Sequence, residues 1–300
     1  MARSSVTRPP SMKGAKDALG VLSRLGPHQV RHGDLGLVGL PGIVYTPAEG
    51  SQLPAVVLGH AWMQPVRRYH ELLRHLATWG FVAAAPNTQR GPVPSVSRFA
   101  ADLNTALDVC CGVRLGDGRI SVDARRTALI GHGTGGGAAL LAAAARERLG
   151  AVVTLAPSQV RPSAIEAAGR VTAPTLHLAG AADSLAPSEG HAEPMARAAG
   201  GEAWVRSLEK AGHLGFCEGR HWSSVLLQNG PQHRTRKLAR ALITAFLMER
   251  LLGEKRVSAL TSGDVPGAPL VDLTPPDDER DDDGRDSGSL GDLLLPAGRS

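Results

Sequence analysis

The segment Ile130-Gly131-His132-Gly133-Thr134-Gly135-Gly136-Gly137 concentrates the chemistry this chain could perform. An apolar run enters it and an Ala/Leu-rich run leaves it, so a strand is expected to turn sharply into a helix there. Two kinds of chemistry use such a turn. In the first, glycines spaced G-x-G-x-x-G let a dinucleotide pyrophosphate approach the backbone, and an acid about 20 residues later holds the ribose. Gly131, Gly133 and Gly136 have that spacing, but the next acid, Glu147, falls inside the helical run, and none closes the apolar run 151–155. In the second, a nucleophile sits at a strained turn that tolerates only small residues two positions to either side. Gly131, Gly135 and Gly136 fill the small positions, which puts the nucleophile at Gly133, a glycine where a serine belongs. A register with Thr134 as the nucleophile would put His132 where a small residue is needed.

The elements that must position this turn follow from periodicity. Short apolar runs at 55–58, 81–85, 127–130, 151–155 and 175–178 suit buried parallel strands; 42–45 and 204–208 complete the set. Between them, helical spacing covers 69–79, 99–113 and 134–148, and a long helix, 233–252, closes the pattern. The alternation predicts an α/β fold, a single domain with a mostly parallel sheet and helices on both faces. The expected organisation is a basic flexible arm over 1–30, a domain over 31–253 and an acidic disordered tail over 254–300.

Four stretches in register resemble the α/β-hydrolase superfamily, in particular its bacterial cutinase and polyester-hydrolase branch with dienelactone-hydrolase-like relatives. Val122-Asp123-Ala124-Arg125-Arg126 through Gly137 is similar to that branch's strand and elbow. Ala173-Pro174-Thr175-Leu176 with Gly180, Asp183 and Ala186-Pro187 resembles the strand and loop of the catalytic acid, and Ala211-Gly212-His213 the loop of the catalytic histidine. Val56-Val57-Leu58-Gly59-His60-Ala61-Trp62 resembles the oxyanion loop. The resemblance covers roughly residues 35–250. It implies Asp183 orienting His213 as base, with the N–H groups of Trp62 and Thr134 binding the oxyanion. Gly133 has no side chain with which to attack.

Three readings of function follow. The chain is a scaffold that binds a small ester-like ligand or a partner. Alternatively, His213 held by Asp183 activates water, lodged in the volume vacated at Gly133. Were Gly133 an introduced replacement for serine, the parent chain would be an active esterase. His60 and His132 flank the expected pocket as hydrogen-bonding residues, and Cys217 lies four residues beyond His213. Without an H-x-x-x-H or cysteine–histidine cluster, no metal and no cofactor are expected.

Composition narrows the classes. Aromatic residues are 3% of the 300 residues, which argues against a base-stacking nucleic-acid platform. Net charge is +5, yet residues 254–300 carry 11 acidic and 5 basic residues, leaving a basic body of net +11. Arg234, Arg236, Lys237 and Arg240 read as the solvated face of a helix rather than a nucleic-acid site. The tail's Asp277–Glu279 and Asp281–Asp283 precede a short apolar end, Leu290 and Leu293–Leu295, a possible partner contact. The longest apolar runs are too short to span a bilayer. Three cysteines, an odd number, and no apolar stretch behind Arg3 and Arg8 lead to an expected cytoplasmic location.

Overall fold

The computed structural model describes residues 12, 14–219 and 230–274. Its strands are Val30–Asp34 (β1), Gly42–Pro47 (β2), Gly50–Gly59 (β3), Val82–Pro86 (β4), Ile120–His132 (β5), Ala151–Leu155 (β6), Thr175–Gly180 (β7) and Ala203–Leu208 (β8). They form one sheet in the order β1-β2-β4-β3-β5-β6-β7-β8. β1 and β2 are antiparallel additions, and every other pairing is parallel. The helices that frame the sheet are Ala15–Leu22 (α1), His70–Thr78 (α2), Val96–Gly112 (α3), Thr134–Ala144 (α4), Ala164–Ala168 (α5), Ala192–Arg197 (α6) and His233–Leu252 (α7).

The unbroken apolar runs are what a sheet covered on both faces requires. Successive side chains of β3 alternate between two cores. Val56 and Leu58 join Ile130, Val153 and Leu176 beneath α2 and α7, while Ala55 and Val57 join Leu129 and Val152 beneath α3 and α4. The expected α/β architecture is therefore the observed one. β5 runs to His132, two residues beyond the expected 127–130, so the strand delivers the chain directly to Gly133. β1, with only Val30 and Gly33 partly covered, carried too little apolar signal to be expected as an edge strand.

Ordered structure extends past both expected boundaries. In the presumed arm, Ala15, Ala18, Leu19 and Leu22 fall on one helical stripe, and Ala18 and Leu22 are fully buried in the core shared with α7. In the presumed tail, Val257, Leu260, Val265 and Ala268 enter the same core. Residues 267–271 run along the open edge of β8, through Glu209 N–H to Gly267 O (3.0 Å), Ser207 N–H to Pro269 O (3.0 Å) and Val271 N–H to Val205 O (2.9 Å). The buried Arg206 guanidinium locks them there, donating to the carbonyls of Thr261, Gly263 and Ala268 at 2.7–3.0 Å. Few but well-spaced apolar residues gain a preformed edge and core to bury against, which composition averaged over the tail hides. The acidic run 277–283 and the apolar end 290–295 lie outside the described residues.

The basic cluster divides. Arg234 and Lys237 are exposed, while Arg236 and Arg240 are half-buried, with Arg240 3.6 Å from Glu71. Cys110, Cys111 and Cys217 are all free thiols. Among the described residues no helix is long and apolar enough to cross a membrane, and no cluster of metal-ligating side chains occurs.

Candidate active site

The strand–helix turn after β5 puts Gly133 at φ 54°, ψ −120°, conformational space that L side chains enter only under strain. The flanking glycines are sterically obligatory. A Cβ at Gly131 would lie 2.1 Å from Gly135 O, and one at Gly135 would lie 2.4 Å from Gly59 O. The turn is thus the small-x-nucleophile-x-small elbow. The N–H groups of Gly136 and Gly137 donate to Gly133 O (2.9 and 3.3 Å), which removes them as donors to a pyrophosphate.

Loops at the carboxyl ends of β7 and β8 bring Asp183 and His213 together, both nearly buried. His213 Nδ1–H donates to Asp183 Oδ2 at 2.8 Å. Asp183 Oδ1 accepts from the N–H groups of Leu185 (2.9 Å) and Ala186 (3.1 Å). Burial acts to raise this carboxyl, but the hydrogen bond and charge of His213 together with the two backbone donors outweigh it and hold the group below the usual carboxylate range. The opposite nitrogen, His213 Nε2, faces the elbow: it lies 2.9 Å from where a Cβ on residue 133 would stand. His213 Cε1 and Ala61 Cβ are each 3.3 Å from that point. The space beside Gly133 is therefore bordered by the imidazole ring and Ala61.

The loop after β3 passes beside the elbow. Trp62 follows Ala61, stands 47% exposed and donates Nε1–H to Pro92 O at 3.0 Å. Thr134 opens α4, so its N–H belongs to the first turn, where a helix supplies no acceptor. With Val93 (92% exposed) and Leu185 (46%), Trp62 gives the loops around the site an apolar outer surface. Backbone strain gathers at this end of the sheet. Met63, Gln89 and Ala156, all non-glycine and all just past a strand, have φ of 54°, 54° and 41°.

One buried relay ties the three loops together, and spacing in the sequence gave no sign of it. His213 O can only accept, so His132 Nε2–H donates to it at 2.9 Å. His132 Nδ1 is then the acceptor for Tyr69 O–H at 2.7 Å, and Tyr69 Oη accepts Ala61 N–H at 3.0 Å. Burial, then the neighbouring His213, pushes His132 down to about 3, which keeps it neutral and fixes this tautomer. Tyr69 reads in the sequence only as the start of a helix. Tyr69→Phe leaves the Ala61 N–H unpartnered and His132 Nδ1 with only the Cys217 thiol at 3.6 Å, and is expected to destabilise the fold by about 1–3 kcal/mol. Urea denaturation measures this; an unchanged midpoint would show that the relay contributes nothing.

The remaining sequence candidates take supporting places. Both His60 nitrogens face carbonyl oxygens, Nε2 to Thr88 O at 2.7 Å and Nδ1 to Ala61 O at 2.9 Å. Cys217 Sγ sits 3.6 Å from Tyr69 Oη and from His132 Nδ1; burial pushes its thiol up to about 11, so it stays protonated. His191, also unforeseen, accepts from Gln159 N–H at 2.9 Å and feels the charges of Asp183 and His213.

A family model described as "PET hydrolase-like" matches residues 13–218. Cutinase est1 of Thermobifida alba is 32% identical over 177 residues, 58% of this chain and 58% of that protein. A cutinase of Thermobifida fusca (strain YX) is 30% identical over 154 residues, 51% of this chain and 50% of its own length. Lipase 1 of Moraxella sp. (strain TA144) is 32% identical over 154 residues, 51% of this chain and 44% of its own. The matches thus span about half the length of these relatives.

Proposed function

Because the chain belongs to the PET hydrolase-like family of cutinase-related α/β-hydrolases, we propose that it binds a small ester or ester-like ligand at the elbow without forming an acyl-enzyme. The observation that carries this reading is Gly133: the elbow geometry is intact, but no oxygen stands between the turn and His213 Nε2. A ligand carbonyl would rest against the N–H groups of Trp62 and Thr134, its apolar part against Trp62, Val93 and Leu185. Burial of those side chains would supply most of the binding energy, at roughly 25 cal/mol per Å² of apolar surface.

The retained Asp183–His213 hydrogen bond at 2.8 Å favours a second reading, in which His213 acts as general base toward water. That water would sit within hydrogen-bonding reach of His213 Nε2. Oxyanion donors and positioning alone can sustain about 10³–10⁴-fold acceleration over water. One experiment separates the readings. A fluorophosphonate probe should leave the wild-type protein unlabelled, and p-nitrophenyl butyrate should give no burst. Labelling of any pocket residue would overturn both. Slow turnover abolished by His213→Ala establishes the general base; turnover unaffected by that change leaves the binding scaffold.

A further inference from the structure

A second cavity, of about 840 Å³, opens beside the β1–β2 edge and includes neither Gly133 nor His213 in its walls. Its polar lining comes from four places in the chain: His32 and Asp34 on β1, Arg67 in the turn before α2, His70 at the start of α2, and Asn87 with Arg90 after β4. Its apolar wall is Ile43, Val66, Pro41 and Pro65. Such a cavity is many times the roughly 30 Å³ share of a water.

The charge balance within it is one-sided. Asp34, the one acid of the lining among the described residues, already accepts Gly36 N–H at 2.7 Å and caps the turn that follows β1. Asn87 uses its side-chain oxygen to accept Val66 N–H at 3.3 Å, which leaves its amide N–H₂ as a donor. Arg67 and Arg90 pair with no carboxylate among the described residues. The imidazoles of His32 and His70 each stand 5.8 Å from the Tyr45 ring. The site is therefore rich in donors and short of acceptors, with an apolar wall adjoining the cations.

We propose that this cavity binds a small carboxylate carrying an apolar body, with Arg67 and Arg90 on the carboxylate and Ile43 and Val66 against the body. Guanidinium forks match a carboxylate in shape. A bare inorganic anion would engage the arginines but waste the apolar wall. A neutral analogue would leave both cations unpaired.

Calorimetry on the full chain at low ionic strength tests this with benzoate, its neutral isostere benzamide, and inorganic phosphate as probes. Benzoate should bind more tightly than either, and more weakly as salt is added. The Arg67→Ala/Arg90→Ala protein should lose about tenfold or more in benzoate affinity. Both arginines are exposed, so the variant is expected to fold. His213→Ala should leave benzoate affinity unchanged, which distinguishes this cavity from the elbow site. No benzoate binding, binding that survives loss of both arginines, binding abolished by His213→Ala, or phosphate bound more tightly than benzoate would each overturn the proposal.

Discussion

Gly133→Ser is expected to create an esterase, raising turnover of p-nitrophenyl butyrate over wild type by about 10³-fold or more. The proposed acid and base stand close to the elbow. His213 Nε2 lies 2.9 Å from the site of the new Cβ, and its Nδ1–H is held by Asp183 at 2.8 Å. A Cβ contact of 2.9 Å is too short to persist, so the imidazole must withdraw by a few tenths of an ångström. The serine hydroxyl then lies within reach of Nε2, and the N–H of Thr134 faces the developing oxyanion. The gain has a stability cost, because serine at φ 54° gives up about 1–2 kcal/mol that glycine does not. The variant should therefore be more active and melt earlier than the parent. Fluorophosphonate labelling at residue 133 and loss of the new activity in Gly133→Ser/His213→Ala complete the test. A folded Gly133→Ser protein without ester hydrolysis would remove Asp183 and His213 from the proposed roles.

Mild acid should unfold the protein. His75, His132 and His177 are buried, and desolvation drives each down, to about 3, about 3 and about 4. Arg240 adds to the effect at His75, and His213 at His132. In the unfolded chain the same rings take up protons near 6.5. Between those values the unfolded state binds more protons than the folded state, so stability falls as pH falls. Each ring contributes about 1.4 kcal/mol per pH unit, and the three together about 4 kcal/mol per unit from roughly pH 6 down to pH 4. Since folded domains hold about 5–15 kcal/mol in total, cooperative unfolding is expected near pH 4–5. Asp183 does not counter this. Its carboxyl is held low, so its contribution is present above the ordinary carboxylate range and fades only as pH drops through the folded value. Urea midpoints measured from about pH 7 to about pH 4 give the slope, and His75→Leu should reduce it by about one third. A flat profile would mean that these rings are not buried as neutral imidazoles.

The two predictions draw on different levels of legibility. Gly133 is a local matter: strand, glycine spacing and helix all lie within a dozen residues, and steric rules for a tight turn apply wherever that turn is built. Asp183 and His213 were legible only through resemblance, because nothing in local spacing couples residues 30 apart. Of the buried histidines, His132 was read as a hydrogen-bonding residue beside the pocket, but His75 and His177 were legible in neither way. His177 and His75 sit in runs that read as strand and helix, and only packing shows that each loses water, with His177 Nδ1 against Thr154 and His75 Nε2 against Thr244. The boundaries failed for a related reason. The stripe of α1 and the apolar residues after Glu254 have little meaning until a core and an open sheet edge exist for them to cover.

By itself, then, the sequence determined the alternating α/β architecture, the elbow and the absence of a nucleophile from it, since each depends on short-range periodicity and on the volume of single side chains. Only the tertiary structure decided that His213 Nε2 faces Gly133, that Tyr69 and His132 tie three loops into one relay, and that Arg67 and Arg90, which pair with no carboxylate among the described residues, line one cavity whose walls include neither Gly133 nor His213. Those facts are distances between residues that the chain separates widely. They are set by how the sheet's two faces pack, and no local pattern encodes them.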